Sequence, residues 1–252
     1  GQAGRNTLKN TAARLLGRET NQLEEHIKSA IGEAEIEFRL RPAVFRAACE
    51  ARLRETVNSY LRVIAESEGP DVIPLQTELK AQAEFEVLGL IRLSGQMDRI
   101  DQRGRNIRIV DYKSGRIPWK SAKAKEQALN LGFSLQPLLY PLLYMAHSGA
   151  EEVPEFCYIF LGERPPVEES IVAKSYATNL LESLAALLRE GCFFPTSNQA
   201  FEEIGYDRVR PCVGCDLDSL CRRFEFGRGS LSIKFLRQQV PERFSGIEID
   251  DE

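Results

Sequence analysis

The stretch LSGQMDRIDQRGRNIRIVDYKSG, residues 93–115, holds two aspartates and a lysine whose spacing could do chemistry. Arg103-Gly104-Arg105-Asn106 lies between two apolar runs, and Gly104-Arg105 suits the two-residue loop of a tight hairpin with glycine first. If Arg103 pairs with Asn106, counting outward sets Asp98 opposite Asp111. Directly opposed residues have side-chain roots about 4.5–5.5 Å apart, and Lys113, just beyond Asp111, projects from the same face. Opposed like charges destabilise a sheet, so this pair needs compensation from Lys113 or from a bound cation. Mg²⁺ or Mn²⁺ suits such a place, because hard ions are held by one or two carboxylates, several waters and phosphate oxygens. A lysine beside the ion could position or deprotonate an activated water and offset charge building on phosphorus. Taken alone, Asp111-x-Lys113 reads equally well as a structural ion pair.

More of the chain carries a pattern. Gly95-x-x-Asp98-Arg99-Ile100-Asp101 is followed by Ile109-Val110-Asp111-Tyr112-Lys113-Ser114-Gly115, then by Gln136-Pro137-Leu138-Leu139-Tyr140, and last by Cys212-x-x-Cys215 and Cys221. In this order the motifs resemble those of the PD-(D/E)XK nuclease superfamily, particularly the RecB-like and AddB-like nuclease domains, over about residues 74–223. The resemblance implies a restriction-endonuclease-like core, α/β or α+β, with a central mixed sheet flanked by helices and a cysteine-containing C-terminal tail. It implies a Mg²⁺- or Mn²⁺-dependent deoxyribonuclease, an exonuclease rather than an endonuclease, working in DNA repair or recombination beside a helicase domain or subunit.

By the same resemblance Asp98, Asp111 and the Tyr112 backbone carbonyl are metal ligands, Lys113 is the catalytic lysine, and Gln136 and Tyr140 support the site or contact DNA. Glu78 matches the additional upstream acid, with Glu84 and Glu86 competing for that role. His26, in Leu23-Glu-Glu-His26-Ile, is the candidate for a metal-binding histidine on an early helix. Cys212, Cys215 and Cys221 are similar to the cysteines that help hold a 4Fe–4S cluster. A fourth ligand could lie outside this chain or be Cys49 or Cys192. The competing reading is a catalytically silent DNA-binding or scaffold module that keeps the fold while a partner cuts.

These residues need elements to hold them. Apolar spacing near three to four predicts helix across 8–38, and a second helix after Pro42 that Gly69-Pro70 stops. Between Pro74 and Lys113 the period shifts toward two, predicting three strands. Helices return at 123–131 and 135–145, strands at 153–161 and 169–175, and a further helix at 179–189. Gln136 and Tyr140 stand one helical turn apart and share a face. Their simplest structural reading is a packed tyrosine beside a solvated glutamine. With no repeat and no linker-like composition, one domain is expected over 1–252: a helical part at 1–70, a catalytic core at 71–190, and a cysteine-cluster region with an acidic tail at 191–252.

The 252-residue chain is 43% hydrophobic and 28% charged, an ordinary globular profile, and its formal charge of −4 excludes coating nucleic acid by bulk charge. Local charge differs: residues 99–125 hold nine basic and two acidic side chains. Arg116, Trp119, Lys120, Lys123 and Lys125 are the candidate nucleic-acid contacts, with Trp119 able to stack on a base. No phosphate-binding G-x-x-x-x-G-K-[ST] loop occurs, so ATP hydrolysis is not expected of this chain. The opening residues lack a signal-peptide pattern and no apolar run is long enough to span a bilayer, so a cytoplasmic protein without a membrane partner is expected. Crowded rather than evenly scattered cysteines fit a reducing compartment. Cys49 and Cys157 read most simply as small buried hydrophobes.

Overall fold

The computed structural model describes residues 7–38, 43–69, 71–86, 90–130 and 134–171, together with isolated helical positions at Glu182 and Ala186. The helix expected at 179–189 otherwise lies outside the described residues, as do Cys192, Cys212, Cys215 and Cys221. The chain divides into two compact units interleaved in sequence. The first comprises Gly1–Ala81, Gly95–Arg116 and Ala150–Ile171; the second comprises Gln82–Ser94, Ile117–Gly149 and Val172–Glu252.

The helices of the first unit are α1 (Leu8–Leu16), α2 (Thr20–Phe38) and α3 (Ala43–Ser67). The single helical pattern expected across 8–38 is broken in two. The Gly17 N–H caps α1 on the carbonyls of Ala13 and Arg14, and Arg14 closes the turn with an ion pair to Glu19 at 3.1 Å. Thr7 caps the other end of α1, its hydroxyl accepting from the Asn10 amide. One turn apart on α2, Leu23, Ile27 and Ile31 are buried against Leu15 of α1 and Leu53, Val57 and Leu61 of α3. Each such side chain contributes about 1.5–3 kcal/mol by leaving water.

Five strands follow among the described residues: β1 (Val72–Glu86), β2 (Leu90–Arg103), β3 (Asn106–Lys113), β4 (Glu155–Phe160) and β5 (Val167–Ile171). They form a mixed sheet in the order β1-β2-β3-β4-β5, with β2–β3 and β4–β5 antiparallel and β3–β4 parallel. The expected hairpin is present, with Arg103 opposite Asn106 and Gly104 at φ +61°, the positive angle that a glycine-first turn requires. β5 begins two residues earlier than its apolar pattern suggested, because Val167 pairs with Phe160. Parallel pairing of β3 with β4 demands a crossover connection, which here contains α4 (Ala122–Asn130) and α5 (Gln136–Ser148), both in the second unit. Pro137 occupies the first turn of α5, and the helix continues through Pro141 to Gly149. This α+β, restriction-endonuclease-like arrangement is the fold class the motifs implied. No helix among the described residues is long and apolar enough to cross a membrane.

Candidate active site

Strand alternation sends Asp98, Asp111 and Lys113 to one face of the sheet. The antiparallel pairing runs from Arg103 with Asn106 to Arg99 with Val110, and Asp98 and Asp111 are the next residues along the two strands. Asp111 is buried at 3% exposure, and the Lys113 ammonium lies 2.7 Å from its Oδ2. Lys113 also stands 5.0 Å from the centroid of the Tyr158 ring, a cation–π distance. The backbone N–H of Tyr112, the residue between Asp111 and Lys113, donates to Asp98 Oδ2 at 2.7 Å. That bond fixes the Asp98 carboxylate on the strand that carries its partner.

Glu78 joins the same row through Gln96, whose side-chain amide donates to the Glu78 carboxylate. Glu78 is exposed and has φ +53°, an uncommon backbone state for a residue with a Cβ. Two other acids compete for the role of upstream acid. Glu84 and Glu86 belong to the second unit, and Glu84 is engaged by Arg92 at 2.7 Å. At the end of β3, Leu161 N–H donates to the Lys113 carbonyl at 2.8 Å and Gly162 N–H to the Gly115 carbonyl at 3.1 Å. Those bonds hold the backbone on both sides of Ser114.

The opposite face carries two of the arginines counted in the basic excess of residues 99–125. Arg99, Asp101 and Arg108 are buried at 5%, 0% and 0% exposure, where a nucleic acid does not reach them. Arg99 binds both Asp101 oxygens at 2.8 and 3.0 Å, and Arg108 binds Asp101 at 2.8 Å, Glu68 at 2.8 Å and Glu168 at 3.1 Å. Arg103 adds a contact to Glu68 at 3.1 Å. The basic excess counted along residues 99–125 is therefore partly internal, since Arg99 and Arg108 neutralise carboxylates inside the first unit. Burial alone would push the Glu68 carboxyl up, but hydrogen bonds from the Arg108 and Arg103 guanidinium groups hold it below the ordinary value. The available signal was alternation: Arg99, Asp101 and Arg108 occupy the face opposite to Asp98 and Asp111.

Gln136 and Tyr140 lie in the second unit and share a helical face, with the Gln136 amide donating to the Tyr140 hydroxyl at 3.2 Å. Arg116, Lys120 and Lys123 are exposed and Lys125 is half-buried. Trp119 is only 8% exposed, a packed position, whereas a stacking platform needs an open ring face. His26 is exposed on α2. Among the described residues no group of three or more His, Cys, Asp or Glu side chains is set to hold a metal, so neither His26 nor Glu78 completes such a group with Asp98 and Asp111. Cys157 is fully buried, as its apolar strand suggested, and burial pushes its thiol up, while Cys49 is only half-buried.

The donors that the motifs name, the Asp98 and Asp111 carboxylates and the Tyr112 carbonyl, are all hard oxygens. This set fits a small divalent ion that keeps several waters and takes its other ligands from a substrate phosphate. It does not suit a soft metal, which would look for thiolate or imidazole.

Two aspartates and a lysine thus share one face of adjacent strands in a mixed sheet, the arrangement that the motifs led one to expect. The sequence matches the PD-(D/E)XK nuclease superfamily over residues 6–222, and the chain belongs to that superfamily. No curated protein matches it. Among solved structures it is similar to SSO0001, at 12% identity and a TM-score of 0.37, over 72% of this chain and 80% of that one. It is also similar to a protein described as a candidate exonuclease from Eubacterium rectale, at 14% identity and a TM-score of 0.40, over 84% of this chain and 73% of that one.

Proposed function

We propose that the chain is a metal-dependent deoxyribonuclease, an exonuclease of the RecB/AddB-like type that hydrolyses DNA phosphodiester bonds beside a helicase domain or subunit. One observation carries the reading: Lys113 Nζ lies 2.7 Å from the buried Asp111 carboxylate, on the face where Asp98 stands opposite. A purely structural strand pair gains nothing from two opposed acids.

In this reading Asp98, Asp111 and the Tyr112 carbonyl would hold a Mg²⁺ or Mn²⁺ ion, which when bound supplies charge neutralisation at the phosphate and a more acidic water. Asp111, screened from solvent, provides a carboxylate whose charge is felt more strongly than it would be in water. Lys113 is 36% exposed, so its ammonium can reach a non-bridging phosphate oxygen and donate hydrogen bonds to it as negative charge grows. The Tyr112 N–H holds Asp98 in place, and Gln96 orients Glu78 as the upstream acid. Arg116, Lys120, Lys123 and Lys125 are the phosphate-tracking contacts, and Trp119 keeps a packing role. Gln136 and Tyr140 act as one hydrogen-bonded pair toward the substrate. Cys212, Cys215 and Cys221 would hold a 4Fe–4S cluster that staples the C-terminal region. Brown protein containing iron supports that part, and colourless protein without iron from an anaerobic preparation removes it.

The deciding experiment is incubation with end-labelled single- and double-stranded DNA in Mg²⁺, Mn²⁺ or EDTA, beside Asp111→Ala. Cutting with either metal, and none with EDTA or the variant, is expected. Cutting that survives EDTA or Asp111→Ala overturns the reading, and a wild-type protein inert under every condition leaves the scaffold role.

A further inference from the structure

We propose that Arg99 and Tyr60 are positioning residues that act through the Tyr112 ring to hold the peptide between Asp111 and Lys113. Alternation forces Tyr112, flanked by two site residues, to point away from the site. On that far face its hydroxyl meets the Arg99 guanidinium and lies 3.3 Å from the Tyr60 hydroxyl. Arg99 Nη1 also donates to the Tyr60 hydroxyl at 3.0 Å, so the three side chains close a triangle. The Tyr60 and Tyr112 rings meet edge to face at 5.6 Å, and the Arg99 guanidinium carbon lies 5.4 Å from the Tyr112 centroid.

The triangle is anchored at both ends. Arg99 is itself fixed by its two-point contact with Asp101, and Asp101 by Arg108. Tyr60 belongs to α3, and with Tyr112 it covers the buried cluster of Val110, Cys157 and Ile159. A rigid side chain on one face thus restrains the backbone that serves the other: the Tyr112 N–H holds Asp98. No group of the triangle touches a reacting atom; its contribution is the placement of Asp98 relative to Asp111. Misplacement of a site by about 1 Å is enough to cost on the order of 10² in rate.

The consequence for rate rests on the nuclease reading above, whereas the consequence for the Tyr112 amide does not. The test uses Tyr60→Phe and Tyr112→Phe, which keep both rings and remove one hydroxyl each. Amide hydrogen exchange is followed by NMR at residue 112 and, as a reference within the same strand, at Val110. Both variants are expected to speed exchange at residue 112 about 5- to 10-fold, the loss of roughly one hydrogen bond's restraint, with Val110 unchanged. Their kcat on DNA is expected to fall about 10-fold or more while KM stays within about twofold, the pattern of a displaced reacting group. Unchanged exchange at residue 112 in both folded variants overturns the inference, whatever the activity. Acceleration shared equally by Val110 also overturns it, since it reports loosening of the whole strand. If the wild-type protein cuts nothing, the nuclease reading fails and the exchange measurement still decides this role.

Discussion

Gly162 passes so close to Gly115 that a Cβ placed at 162 would lie 2.6 Å from the Gly115 carbonyl carbon and oxygen, and 2.8 Å from the Ser114 oxygen. Backbone cannot swing aside as a flexible side chain can. The end of β4 is therefore fitted to the residues just after Lys113 with no space to spare.

Gly162→Ala should accordingly move the backbone that carries Lys113. A stability loss of about 1–3 kcal/mol is expected from overpacking, with a larger loss of nuclease activity than the urea midpoint explains. Gly32 on α2 provides the contrast, since a Cβ there meets nothing within 4 Å. Gly32→Ala should stabilise by about 0.5–1 kcal/mol and leave activity intact. Equal behaviour of the two variants in denaturation and cleavage assays would show the contact at 162 to be unimportant.

Asp111→Asn and Lys113→Ala should each lower the cleavage rate by on the order of 10² to 10³ while circular dichroism at the assay temperature stays near wild type. Lys113 is partly exposed and its removal leaves little void, so a folding defect would not account for the loss.

Asp101→Ala should destabilise by about 3–5 kcal/mol, because it leaves the Arg99 and Arg108 guanidinium groups buried with one carboxylate fewer. A cost under about 1 kcal/mol in urea titration would mean that Glu68 and Glu168 compensate alone.

Acid should weaken the fold through Glu68. Its folded-state pKa lies below the ordinary 4.5, so its ionised form contributes stability that is present in full above 4.5 and lost as pH falls through the lowered value. Glu68→Gln should be less stable than wild type at neutral pH, with the gap closing as pH drops below 4.5. Urea midpoints across that range check the sign; a constant gap would remove Glu68 from the acid response.

Replacing Lys120, Lys123 and Lys125 together by alanine should weaken DNA binding and flatten its salt dependence, as each lost phosphate contact lowers the slope by about 0.7 to 0.9. Binding measured at several salt concentrations, with Lys113 retained, separates this effect from chemistry. A slope equal to wild type would make these lysines a solvated face.

The sequence alone was enough to set the hairpin's register and to put Asp98, Asp111 and Lys113 on one face, because a two-residue turn and a period of two are short-range rules. The same rules put Arg99, Asp101 and Arg108 on the other face, yet they could not say what waits there. Arg108 meets its Glu68 and Glu168 partners across 40 and 60 residues of chain, so only the packed structure decides that these charges are internal ion pairs and not a basic patch. Trp119 shows the same division: its type allows stacking on a base, but its burial depends on everything packed around it. The contact of Gly162 with Gly115, and the triangle of Arg99, Tyr60 and Tyr112, exist only once α3 and β4 are folded beside β3. A local pattern assigns each residue to a face of its strand; the energy of a buried charge or a missing Cβ depends on which distant atoms fill the space.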